Sequence, residues 1–317
     1  MGVNAPGNTG PQSKIIAWCG LSIDSRDSTV YSAAGGGHTD YAGNEVDSIR
    51  LSDDAPAWVE RRASTSSGQI TASATHYADG RPTSRHTYYG AVMNEIRNRV
   101  MVMAGSRYGD GYQISSMDGF NISSNDWDSA GTFPDTPGAV PSYYGATIVE
   151  DKRTGDVYAL ANYGVFQWVS SSNSWATRAS NTGIWGFEAA SALDTRRNRI
   201  LVLGGDGNDH GMYTLGASSA QSVSISGSAA GNVNGGGNGM VYDPWMDAFL
   251  VKTPSGSTVY AIDASTLTAT TLSTTTASGS IPSSDNGVYR RFLFAPNLGG
   301  VVYVPDFGTN MWFLRTV

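Results

Sequence analysis

One pattern recurs along this chain and limits its fold more than any other feature. A strand of small and aromatic residues is followed by an acidic residue, a basic turn of two to four residues, and a β-branched strand. The copies cover residues 15–24 and 26–31, 88–95 and 97–102, 143–151 and 153–158, 187–194 and 196–202, 240–243 and 245–250, and 292–296 and 298–303. Anchored on the acidic position, they fall at Asp24, Glu95, Asp151, Asp194 and Asp243, with Ala295 in the sixth place. In the first copy a second strand runs into Gly35-Gly36-Gly37, a third strand spans 45–51, and a fourth spans 58–61. Trp127 and Trp175 hold places comparable to Trp58, and third strands recur at 164–169, 259–264 and 310–314. Four short antiparallel strands per copy make a propeller blade. A blade cannot bury both faces alone, so neighbours must stack into a ring. The expected fold is all-β, a six-bladed β-propeller of four-stranded antiparallel blades. Residues 14–317 form one propeller domain, and residues 1–13 are an N-terminal arm or a strand that closes the sixth blade.

Composition agrees with many turns and few solvated helices. The 317 residues include 39 Gly and only 15% charged residues, against roughly 25% charge in ordinary domains. The net charge of −7, with Lys and Arg scattered singly or in pairs, lacks the basic stripe that nucleic acid or an anionic membrane would need. No apolar run is long enough to span a bilayer, and the N-terminus reads as lacking an export leader. Cys19 is the single cysteine, which leaves no intrachain disulfide.

The double glycines Gly35-Gly36 and Gly204-Gly205, the Ser84-Arg85-His86 entry to a strand, and Trp58 at the end of a blade resemble kelch repeats, the propeller family that includes galactose oxidase. The resemblance covers residues 14–317. It departs from the pattern at Ala104-Gly105, at Ala161-Asn162, and in the fifth copy, which has no glycine pair. A looser similarity to kelch-like propellers encoded by tailed bacteriophages rests on residues 37–45, Gly-His-Thr-Asp-Tyr-Ala-Gly-Asn-Glu. The copper chemistry of galactose oxidase implies a cysteine bonded to a tyrosine and a Tyr-His dipeptide. This chain has no Tyr-His dipeptide, and Cys19 lies in an apolar segment beside Trp18. No cofactor or metal is expected.

In a blade, the loop between strands two and three and the loop into the next blade emerge on one side of the disc. That places His38, Asp40, Tyr41, Arg85, His86, Tyr108, Tyr144, Trp185, Asp209 and His210 on one rim as candidate ligand-binding residues. Aromatic rings beside Asp and Arg suit carbohydrate, because sugar faces pack on rings while hydroxyls need polar partners. Residues 38–40, His-Thr-Asp, could share a metal or act as an acid and base pair, or simply form a capped glycine-rich turn. A histidine cluster would have to draw His38, His86 and His210 together.

The function these features suggest is a non-enzymatic recognition or structural module of a bacteriophage virion, a tail or head fibre element. Its expected partners are other virion proteins and host-surface carbohydrate, with homo-oligomers also open. The alternative is a polysaccharide lyase-like enzyme using His38, Tyr41, Arg85, His86 and His210.

Overall fold

The computed structural model describes residues 5–138, 140, 146–161, 163–180, 188–205, 209–275 and 279–317. It is an all-β, six-bladed propeller. Blade 1 comprises Ser22–Asp24, Thr29–Ala33, Val46–Arg50 and Val59–Arg62; blade 2 comprises Ala91–Asn94, Arg99–Met103, Met117–Asn121 and Asp126–Trp127. Blade 3 comprises Thr147–Asp151, Asp156–Ala161, Gly164–Val169 and Ser174–Ser180; blade 4 comprises Ala190–Asp194, Arg199–Leu203, His210–Thr214 and Gln221–Val223. Blade 5 comprises Gly239–Asp243, Ala248–Lys252, Val259–Asp263 and Ala269–Thr271. Blade 6 has three strands among the described residues: Phe292–Ala295, Gly300–Tyr303 and Trp312–Arg315. Second strands are packed on both faces and read as continuous apolar runs, as at Arg99–Met103 and Arg199–Leu203. Outer strands alternate or lie open, as Trp312–Arg315 does.

The turn between strands one and two explains the repeat. Each has four residues, and the last adopts a left-handed backbone: Ser28, Asn98, Gly155, Asn198, Asp247 and Gly299, all with φ between 51° and 77°. Asn, Asp and Gly tolerate that conformation best. The acidic residue before the turn accepts backbone N–H groups from it: Asp24 from Arg26, Asp151 from Arg153, Asp194 from Arg196 and Arg197, and Asp243 from Trp245 and Met246. In blade 2 this place belongs to Asn94, whose Oδ1 accepts from Arg97 N at 2.8 Å and which pairs with Arg99 as Asp24 pairs with Thr29. The sequence anchor at Glu95 is therefore one residue late. Glu95 instead accepts from the Ser25 backbone and hydroxyl and from Lys152 Nζ, at 2.8, 2.6 and 2.8 Å.

The basic residues of these turns reach to the next blade. Arg26 grips Asp24 through Nε and Nη2 and donates onward to the Glu95 carbonyl and Asn98. Arg153 repeats the arrangement with Asp151, the Thr195 carbonyl and Asn198. Arg97 donates to the Ser170 carbonyl, and Arg197 bridges Asp194 to Asp247. Trp245 packs against Phe294 between blades 5 and 6, with ring centroids 5.2 Å apart and the planes tilted by 53°. Asn297 closes the ring by donating to the Ser25 and Arg26 carbonyls.

Nearer the axis, Arg290 from the entry to blade 6 donates to both carboxylate oxygens of Glu150 in blade 3, at 2.7 and 2.6 Å. Tyr89 donates to the Asn238 carbonyl and Tyr289 to Glu188. The seam between blades 6 and 1 is a cluster of Leu21, Ile23, Val30, Leu293, Ala295 and Val302. Residues 5–12 do not pair with blade 6: Asn8, Thr9 and Gly10 donate to the carbonyls of Thr39 and Asp40, before a helical turn at Ser13–Ile16. Lys14 in that turn bridges Glu45 and Asp47 of blade 1.

Lys252 is fully buried in blade 5, donating to the Thr253 and Gly256 carbonyls and facing the Tyr303 ring. Burial, with Arg291 nearby, lowers its pKa from 10.5 to about 8. Between those values the unfolded chain holds a proton that the folded chain has released, so this group makes stability rise with pH across that window and not below it. Urea denaturation from pH 7 to 10.5 should show the wild type gaining on Lys252→Met as pH increases. An unchanging difference between the two would contradict the buried-lysine account.

Candidate functional site

Three loops meet on the face opposite the clamped turns: residues 34–45 of blade 1, residues 72–88 entering blade 2, and residues 104–116 within blade 2. The glycine triplet makes their approach possible. A Cβ on Gly37 would stand 2.2 Å from the His86 nitrogen, and Gly37 itself has φ +56°. Ser84 Oγ accepts from Gly37 N at 2.8 Å and donates to the Tyr41 carbonyl at 2.8 Å. Arg85–His86 then pairs with Ser106–Arg107 as a short two-stranded ladder.

This packing brings together His38, Asp40 and His86. His86 Nε2 lies 2.8 Å from Asp40 Oδ2, and the His38 ring meets the His86 ring edge-on at 5.7 Å. The His86 side chain is almost wholly buried, between Trp18 at 5.0 Å and the edge of Tyr88 at 6.0 Å. His38 is exposed and Asp40 half-buried. Thr9 Oγ1 donates to Asp40 Oδ1 at 3.2 Å. Burial pushes the His86 imidazole below its ordinary pKa against the pull of Asp40. The hydrogen bond from His86 holds the Asp40 carboxyl below the usual carboxylate value. A neutral imidazole against an ionised carboxylate, with a second imidazole alongside, can orient a proton or accept a cation.

The other rim candidates have different surroundings. Arg85 is completely buried: Nη2 donates to Asp118 at 2.9 Å and Nη1 to the Ser116 carbonyl at 3.2 Å. Asp118 also meets His76 Nε2 at 2.8 Å and the Ser116 hydroxyl at 3.0 Å. Burial raises the Asp118 pKa, but His76 and Arg85 outweigh it and hold the group low. Tyr41 is buried and donates to Glu45 at 2.8 Å. Arg85 and Tyr41 are thus both enclosed, with their polar atoms engaged inside the protein. Tyr108 is half-buried on the rim, beside the Arg107–Asp110 pair. Tyr112 stands 68% exposed there. His210 lies in the third strand of blade 4, where its Nδ1 accepts from Gly204 N at 3.2 Å, and it does not join the His38 trio. Asp209 is exposed next to it. Tyr144 and Trp185 lie outside the described residues.

The chain matches no protein-family model and no curated protein. Its likenesses are to solved structures. Similarity to the structure of YjhT spans 96% of this chain and 97% of that one, at a TM-score of 0.60 and 11% identity. A chain of a nidogen/laminin complex gives a TM-score of 0.47 at 10% identity, over 80% of this chain and 77% of that one. YCF48 bound to a D1 peptide also gives 0.47, at 12% identity over 98% and 86%. At such identities the likeness to YjhT carries the six-bladed fold and no activity.

Thr9 and Trp18 were not legible as contributors to the site. Trp18 reads as strand core, and Thr9 sits among Gly and Pro residues with no periodicity. Because Arg85 compensates a buried carboxylate, Arg85→Met should destabilise the fold by about 3–5 kcal/mol, measured by urea denaturation. A loss below about 1 kcal/mol, the range of an exposed pair, would mean that the pair is solvated.

Proposed function

We propose that this chain is a non-enzymatic recognition and structural propeller of the kelch type. In this reading it is a tail or head fibre element of a tailed bacteriophage, carried on the virion among other virion proteins, and it binds host-surface glycan. The virion context is supported by the resemblance of residues 37–45 to phage-encoded kelch-like propellers. The glycan reading is carried by what faces outward at the rim: Tyr112, Tyr108, His38 and the Arg107–Asp110 pair, while Arg85 and Tyr41 are committed to internal networks. An exposed ring beside a guanidinium and a carboxylate supplies both a stacking surface and bidentate polar partners for sugar hydroxyls.

Purified protein should bind intact host cells and their lipopolysaccharide, and Tyr112→Ala should weaken that binding about tenfold, the loss of one aromatic stacking contact, with an unchanged melting temperature. Mass spectrometry of purified particles should detect the chain. Equal binding by Tyr112→Ala and wild type would overturn the rim assignment, and absence from particles would overturn the virion assignment.

A further inference from the structure

We propose that His38, Asp40 and His86 form a binding site for a divalent transition-metal ion of the zinc class. The three offer one ligand atom each, all within 4.8 Å of one another. Among the described residues no other trio of His, Cys, Asp or Glu converges in this way. Imidazole nitrogen and carboxylate oxygen bind zinc at about 2.0–2.2 Å, so two donors sharing a tetrahedral ion stand about 3.3 Å apart. The 2.8 Å between His86 Nε2 and Asp40 Oδ2 is a hydrogen-bonded version of that spacing. An ion would replace the hydrogen between them, and the pair would open by a few tenths of an ångström. His38 is the third donor, its ring nearly perpendicular to that of His86 with centroids 5.7 Å apart and one of its nitrogens within 4.8 Å of the other two ligand atoms.

The donors are held rather than merely near. His38 has φ +44°, a left-handed backbone that is costly for a residue with a β-carbon. It is fixed on both sides, its N–H donating to the Arg107 carbonyl at 3.1 Å and its carbonyl accepting from Gly109 at 2.6 Å. These two bonds fix the backbone from which the imidazole projects. Gly111 lies under the imidazole, where a Cβ would come within 2.4 Å of the ring. Trp18 and Tyr88 confine the His86 ring. Thr9 occupies the outer oxygen of Asp40 and leaves Oδ2 directed inward, as partners of ligating carboxylates do.

The donor set selects the ion. Two imidazoles and one carboxylate suit zinc, nickel, copper or iron, whereas calcium and magnesium call for mostly oxygen ligands. Three protein ligands leave at least one coordination position for water or another oxygen donor at the exposed His38 side. The site stands independently of the glycan reading, because its test involves no carbohydrate.

Untagged protein, treated with chelator and exchanged into metal-free buffer, would be titrated calorimetrically with zinc chloride, with calcium chloride as the contrast. A second titration with cobalt chloride would be followed by visible absorption. The expected result is one zinc per chain, intense tetrahedral cobalt bands, and no response to calcium. His38→Asn keeps a residue that tolerates the left-handed backbone, and it should weaken zinc binding at least about tenfold while retaining the propeller's circular dichroism. Asp40→Asn should do the same, and His210→Ala should bind as wild type. Zinc should raise the melting temperature of wild type and not of His38→Asn. Absence of stoichiometric zinc binding overturns the proposal, as does binding that His38→Asn and Asp40→Asn leave unchanged.

Discussion

The ring depends on a carboxylate that performs two tasks at once. Asp24 and Asp151 accept backbone N–H groups from their own turn while anchoring an arginine whose other nitrogens reach the next blade. Local turn formation and blade-to-blade registration therefore use the same atoms. A six-fold stack of sheets packed only by apolar faces could slide or splay, since hydrophobic contact is non-directional. Directed hydrogen bonds from the turns of blades 1, 2, 3, 4 and 6 restrain how far each of those blades is rotated from the next. That rotation in turn decides whether loops from blades 1 and 2 can touch, which is the precondition for the His38 cluster.

Much of the ring was readable because turn chemistry and strand burial repeat. The left-handed position selects Asn98, Gly155, Asn198, Asp247 and Gly299 at the end of five of the six turns, with Ser28 in the first, and the sequence displays those residue types at the expected place. Where two polar residues adjoin, as Asn94 and Glu95 do, composition does not distinguish the turn acceptor from its neighbour, and only the strand register does. The path of residues 5–12 was not legible either. Apart from the Thr9 hydroxyl on Asp40, their bonds to blade 1 are backbone ones, chiefly N–H groups to the carbonyls of Thr39 and Asp40, which leave no trace in side-chain pattern.

The site divides in the same manner. Loop topology puts His38, Asp40 and His86 on one rim, and in the structure their ligand atoms lie within 4.8 Å of one another, while His210, which the sequence pattern groups with the two histidines, lies apart in blade 4. It does not say which of the neighbouring charged residues turn inward. Arg85 and His86 are consecutive on one short strand, so their side chains leave on opposite sides. Arg85 enters the blade to neutralise Asp118, while His86 faces Asp40. Sequence alone shows two polar residues at a strand entry. The alternation separates a structural ion pair from a group directed toward the rim.

Blade 6 joins blade 1 without a shared strand among the described residues. The seam is made of a small apolar cluster, the Asn297 amide and a backbone hydrogen bond from Leu21 N to the Arg290 carbonyl. A ring whose last joint is a strand cannot open there until a ladder of backbone hydrogen bonds breaks. Here the joint can part while every sheet stays intact. The slowest-exchanging amides should thus lie in the second strands, and the earliest excursions from the native state should be a hinge-like spreading of blades 6 and 1.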